Sequence, residues 1–171
     1  MWRRRGTVLR IPTPGKNILV PVCGAFRYPD GPFLYELGPV YKHPNTATFV
    51  GMLAKVATRA RRTGKRIVLV LDNGTNHTSK GAQQAIAAVR DLVTVFWLPK
   101  YTSEQLNDIE GVWGHLKDDY FSRMLVTIPK AFPAAVVKLL DRLAQPGQFR
   151  IVLQPSRGMR KTDRKNFVRT A

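Results

Sequence analysis

The sequence predicts an α/β fold, a mixed sheet with flanking helices. Three observations point to it. Ile67-Val68-Leu69-Val70-Leu71 is an unbroken aliphatic run bounded by Gly64 and by Asn73-Gly74, the pattern of a short strand buried on both faces. Further strand-like runs alternate with stretches whose apolar residues recur at helical spacing, an order that covers a sheet with helices. The chain has 171 residues and is 44% hydrophobic, enough for one domain with its own core.

Residues 1–17 are basic and interrupted by Pro12, Pro14 and Gly15, which makes them an irregular arm or edge strand. Residues 18–26 follow as a strand in which Pro21 and Gly24 mark an edge or a bulge. Tyr28-Pro29-Asp30-Gly31 is turn chemistry, and residues 33–37 return as the second arm of a hairpin. Pro44-Asn45 opens a helix with Phe49, Leu53, Val56 and Ala60 on one face. Arg59, Arg61, Arg62 and Lys65 at its end suit the helix dipole. After the aliphatic strand, Ser79 caps a short helix to about residue 90. Residues 92–98 form another strand, closed by Pro99. A helix over residues 104–124 follows, and a last one begins at Pro129, carries Phe132, Val136, Leu139, Leu140 and Leu143, and stops at Gln145-Pro146-Gly147. The organisation is therefore a basic arm (1–17), a folded unit (18–145) and a basic tail (146–171).

Charge narrows the partners. Lys and Arg number 28 against 11 Asp and Glu, a net charge of +17, with a pI near 10.8. Such an excess favours a polyanion, because each cation placed on a phosphate releases condensed counterions. Cys23 is the single cysteine, which excludes a disulfide framework and a Cys-based zinc site and suits a reduced cytosolic compartment. No apolar run has the length of a membrane span, and no signal-peptide core follows Met1.

Two carboxylates stand out. Asp72 ends the aliphatic strand, at the carboxyl edge where α/β sheets place their chemistry. In the helix after Pro99, Leu106, Ile109, Trp113, Leu116, Tyr120 and Met124 make one apolar stripe. Glu110 falls roughly 70° from its centre, while Asp108, Asp118 and Asp119 fall roughly 110–150° away. Glu110 is thus placed at the buried margin, able to face a strand tip. Two carboxylates so arranged suit a hard divalent cation such as Mg²⁺ or Mn²⁺. The plainer alternative pairs Glu110 with a nearby Arg or Lys and leaves Asp72 as a turn cap. His77 reads as a surface or hydrogen-bonded histidine, Asn73 and Asn107 as turn and cap residues, and Asp30 as a turn residue.

Val70-Leu71-Asp72-Asn73-Gly74-Thr75-Asn76-His77-Thr78-Ser79-Lys80 resembles the strand-and-turn motif of DDE transposases of the mariner superfamily, in particular their bacterial insertion-sequence branch. Leu98-Pro99-Lys100-Tyr101, followed by Leu106-Asn107-Asp108-Ile109-Glu110 and by Trp113 and Leu116-Lys117, resembles the second signature, Leu-Pro-x-Tyr-Ser-Pro-x-Leu-Asn-Pro-Ile-Glu-x-x-Trp and then Leu-Lys. The two acids are separated by 37 residues, within the spacing usual for the superfamily. Thr102, Ser103 and Asp108 depart from its Ser, Pro and Pro. Trp2 to Gly6 resembles the segment that follows the family's first catalytic Asp, so the chain is expected to begin after that residue and after the helix-turn-helix region.

The resemblance implies a ribonuclease-H-like fold, here without its first strand, and a metal-dependent endonuclease and strand-transfer activity on the DNA of a mobile element. Asp72 and Glu110 become the second and third ligands of the triad, with Mg²⁺ or Mn²⁺ as cofactor. Arg3, Arg4, Arg5, Lys80, Lys100, Lys117, Arg157, Arg160 and Lys161 become candidate phosphate contacts that position DNA without reading its sequence. A homodimer, or complementation by an N-terminal fragment, is expected, in a bacterial, nucleoid-associated setting. The rival is a non-catalytic nucleic-acid-binding protein on the same fold. An RNA-associated structural protein is favoured by charge alone.

Overall fold

The computed structural model describes residues 18–27, 32–40, 42–102, 106–107, 109–121 and 128–145. The arm, the tail and Asp30 lie outside them, as do the boundaries expected at 17 and 146.

Strand β1 (Val22–Phe26) pairs antiparallel with β2 (Phe33–Leu37) in a regular hairpin, Val22 opposite Leu37 and Phe26 opposite Phe33. Helix α1 (Thr46–Thr63) follows. Its start is set by Asn45, whose side chain accepts from the Thr48 amide at 3.0 Å, a side-chain N-cap. Its end is set by Gly64, at φ 64°, a left-handed backbone that glycine adopts without the cost of a β-carbon. Strand β3 (Ile67–Leu71) then runs parallel to β4 (Val93–Trp97). Between them lie the single-turn α2 (Thr75–Thr78) and α3 (Lys80–Ala88), capped by Ser79 onto the Ala82 amide. Helix α4 (Ile109–His115) continues into a π-helical turn (Leu116–Tyr120), and α5 (Phe132–Ala144) follows a short 3₁₀ turn at Pro129–Ala131.

Among the described residues the strands form two pairs, β1–β2 and β3–β4, and α1 packs on both. Phe49, Met52, Leu53, Val56 and Ala57 of α1 meet Leu69 and Leu71 of β3 and Val93 of β4, with Cys23 and Ala25 of β1 against the same cluster. The opposite face of the hairpin, through Val22, Phe26, Phe33, Tyr35 and Leu37, packs on Val112 and Leu116 and on Val136, Leu139, Leu140 and Leu143 of α5. Side chains along a strand alternate between faces, so the hairpin is sandwiched between α1 on one side and α4–α5 on the other. Tyr35 donates to the Asp141 carboxylate, fastening α5 to β2.

Three expectations need correction. Among the described residues β3 is covered on one face alone. Leu69 and Leu71 are buried against α1, whereas Val68 is 65% and Val70 47% exposed, and Phe96 beside them on β4 is 57% exposed. An unbroken aliphatic run cannot tell a strand covered twice from one covered once. The first strand is also shorter than expected, beginning at Val22 after the buried Pro21, a residue with no amide to give to a ladder. The Glu110 helix is not one continuous α-helix over 104–124. Asn107 is non-helical, and the α-helical turns give way to a π turn at Leu116.

Candidate active site

The parallel pairing of β3 and β4 brings both carboxyl ends to one edge. Leu98 donates its amide to the Leu71 carbonyl at 2.8 Å. The Asn73 side-chain amide donates to the Leu98 carbonyl at 2.6 Å, so Asn73 ties the two strand ends together as well as forming the turn. Asp72 stands between these ties. Its Oδ1 accepts from the Gly74 amide at 3.0 Å and lies 2.8 Å from Nδ1 of His77. His77 is held in turn. Its ring packs on Phe49 with centroids 4.7 Å apart, and its carbonyl accepts from the Gln83 side chain at 3.0 Å. Asn76 donates to the Pro44 carbonyl at 3.1 Å, and the Thr46 and Ser79 hydroxyls meet at 2.8 Å. The turn is therefore anchored to the start of α1 as well as to β3.

Glu110 arrives from the other side. It lies in the first turn of α4, its amide donating to the Asn107 carbonyl at 3.0 Å. The helix is placed by Val112, which is fully buried, and by Trp113, which meets Phe33 edge-on at 5.7 Å. Gly24 makes this approach possible, since a β-carbon there would sit 2.8 Å from the tip of the Trp113 ring and 2.9 Å from Phe33. Glu110 itself is exposed, whereas the apolar stripe placed it at a buried margin; the helix turns its Val112 side inward and leaves Glu110 at the rim.

Asp72 and Glu110 nonetheless line one cavity of about 160 Å³, together with Cys23 and Gly24 of β1, Asn45, His77 and Asn107. The charge of Asp72 is felt across it. Burial, then the Asp72 carboxylate, then Glu36, push the Cys23 thiol from its ordinary 9.0 up to about 11. Two hard carboxylates, with amide side chains at the wall, match the oxygen donors that Mg²⁺ or Mn²⁺ takes, the remaining positions going to water and phosphate. The hydrogen bonds to the Asp72 side chain fall on Oδ1, which leaves Oδ2 for a cation. Among the described residues no three His, Cys, Asp or Glu side chains form a complete metal cage.

Of the expected phosphate contacts, Lys80 opens α3, Lys100 follows β4 and Lys117 lies on the π turn, all exposed. Arg3, Arg4, Arg5, Arg157, Arg160 and Lys161 lie outside the described residues. His77, expected as a surface or hydrogen-bonded histidine, is hydrogen-bonded, and its partner is Asp72. Its signal was its place five residues after Asp72 in a turn that reverses the chain. Among the described residues no helix is long and apolar enough to cross a membrane.

A family model described as DDE superfamily endonuclease matches residues 1–130. No curated protein matches the chain. Among solved structures, the catalytic domain of Mos1 transposase, determined with raltegravir and Mg, is similar over 77% of this chain and 73% of its own, at 13% identity and a TM-score of 0.44.

Proposed function

The chain belongs to the DDE superfamily endonucleases, and from that premise we propose that it is a transposase catalytic domain of ribonuclease-H-like design, acting on the DNA of a bacterial mobile element in the cytoplasm, at the nucleoid. Asp72 and Glu110 are its two metal-holding carboxylates. The observation that carries this reading is the shared cavity. Acids with 37 residues between them in sequence line one cavity, and Glu110 forms no ion pair among the described residues, which disfavours the plainer pairing with a Lys or Arg.

The chemistry follows from the donors. Asp72 and Glu110 would hold a divalent cation, which when bound would supply positive charge to polarise a phosphodiester and activate water. The protein's own part is orientation. His77 and the Gly74 amide fix the Asp72 carboxylate, as outer partners of metal ligands commonly do. Asn73 locks the two strand ends, and Trp113 seated on Gly24 sets the height of Glu110. Lys80 and Lys100 lie close to the Asp72 edge in sequence and topology, and steer the DNA backbone without sequence preference.

The test is metal-dependent nicking of supercoiled DNA by the purified protein. Nicking that requires Mg²⁺ or Mn²⁺ and is lost in Asp72→Asn and Glu110→Gln supports the proposal. Nicking that survives both substitutions overturns the assignment of the two carboxylates. A second reading, a non-catalytic nucleic-acid-binding protein, is favoured by the exposure of Glu110. It predicts salt-dependent DNA binding with no nicking and no response to Mg²⁺.

A further inference from the structure

The parallel strands give the molecule two poles. β3 and β4 end at the Asp72 edge, and both begin at the opposite end, where α1 and α3 finish. Six cations gather there. Arg59, Arg61 and Arg62 stand in the last turns of α1, Lys65 and Arg66 in the connection to β3, and Arg90 in the connection from α3 to β4. Chain order alone separates Arg90 from the others. The fold joins them, because an Arg66 guanidinium nitrogen donates to the Arg90 carbonyl at 2.8 Å and the Ile67 amide to the Leu92 carbonyl at 3.0 Å. All but Arg59 are exposed. Asp91 is the one acid in these connections, and among the described residues none of the six cations forms an ion pair.

The end of a helix attracts one or two cations through its dipole. That accounts for Arg61 and Arg62 in the last turn; Lys65, expected at the helix end, lies past the Gly64 cap and belongs with Arg66 and Arg90 to the loops. Like charges crowded on one exposed surface repel one another, and a polyanion relieves the repulsion. The forked guanidinium groups suit phosphate oxygens. We infer that this pole is a second, sequence-independent DNA-backbone surface, remote from the Asp72–Glu110 cavity, that holds duplex away from the reacting phosphate. The inference rests on the proposed action on DNA. Five residues of β3 separate pole and cavity, roughly 17 Å of strand, or about five base pairs at ~3.4 Å each. The duplex gripped here therefore lies at least that far from the scissile bond.

The test is the salt dependence of binding to a random-sequence 40-base-pair duplex, by fluorescence anisotropy, for the full chain and for Arg61→Ala/Arg62→Ala/Arg90→Ala. Each lost phosphate contact removes about 0.9 from the slope of log K against log salt, so the triple variant loses about 2 to 3 and binds at least tenfold more weakly at low salt. The matching triple Lys variant keeps the slope, which excludes a folding defect as the cause. A wild-type slope in the triple Ala variant overturns the inference and leaves the proposed function standing, with DNA held elsewhere. No DNA binding by the wild type overturns both.

Discussion

Cys23 reports on the cavity without any need for activity. Its thiol sits on β1 facing the cluster shared with β3, and it titrates at about 11 in place of 9.0, because burial, then the Asp72 carboxylate, then Glu36 disfavour the thiolate. Since the thiolate is the nucleophile, a two-unit rise leaves about a hundredfold less of it below pH 9 than in an unperturbed cysteine. Alkylation by iodoacetamide, followed by mass spectrometry across pH 7 to 12, is expected to show a midpoint near 11. Asp72→Asn removes the second of the three causes and lowers that midpoint, and Glu36→Gln lowers it less. The linkage runs the same way. The unfolded thiol ionises first as pH rises, so its contribution to stability is complete below 9.0 and is lost as pH climbs through about 11. An alkylation midpoint that is identical in wild type and Asp72→Asn would refute the placement of Asp72 opposite β1.

Gly24→Ala forces a methyl against the Trp113 and Phe33 rings and should cost about 1–3 kcal/mol by overpacking, read as a lowered urea midpoint, while displacing α4 and weakening metal binding through Glu110. Leu69→Ala should cost about 2–5 kcal/mol, whereas Val68→Thr on the exposed face of the same strand should stay within about 0.5 kcal/mol; equal losses at the two positions would contradict a strand covered on one face. His77→Ala frees the Asp72 carboxylate and should weaken divalent-cation binding about tenfold to a hundredfold, with little change in thermal stability, since its ring is one of several contacts made by Phe49.

Much of this architecture was legible because local signals agreed with one another. Ser79 caps α3 as its side chain said it would, α1 opens after Pro44-Asn45 as expected, and the helical spacing of Phe49, Leu53, Val56 and Ala60 marked the face that became the core. Phe132, Val136, Leu139, Leu140 and Leu143 were equally plain, because α5 lies on a single partner surface. The misses share a physical cause, that coverage is a tertiary property. Val68 and Val70 carry the same side chain as a core residue, and nothing local states that the element over them is absent from the described fold. The exposure of Glu110 depends on how far α4 rolls about its axis when Trp113 seats on Gly24, a contact between residues 89 positions apart in the chain. The π turn at Leu116–Tyr120 has no signature in composition; such turns depend on packing and occur often beside functional sites. The hydrogen-bonded role of His77 was legible but its partner was not, because a single histidine does not say which acceptor the folded turn brings to 2.8 Å, here Asp72.

The central claim is that Asp72 and Glu110 share one divalent cation. The most direct measurement is Mn²⁺ binding to the full chain, followed by electron paramagnetic resonance of the free ion, in wild type, Asp72→Asn and Glu110→Gln. One site is expected in the wild type, weakened at least tenfold by either substitution and no further by the double variant, since two ligands of one ion fail together and not additively. Mn²⁺ binding that is unaffected by either substitution, or losses that simply add, would contradict a shared site.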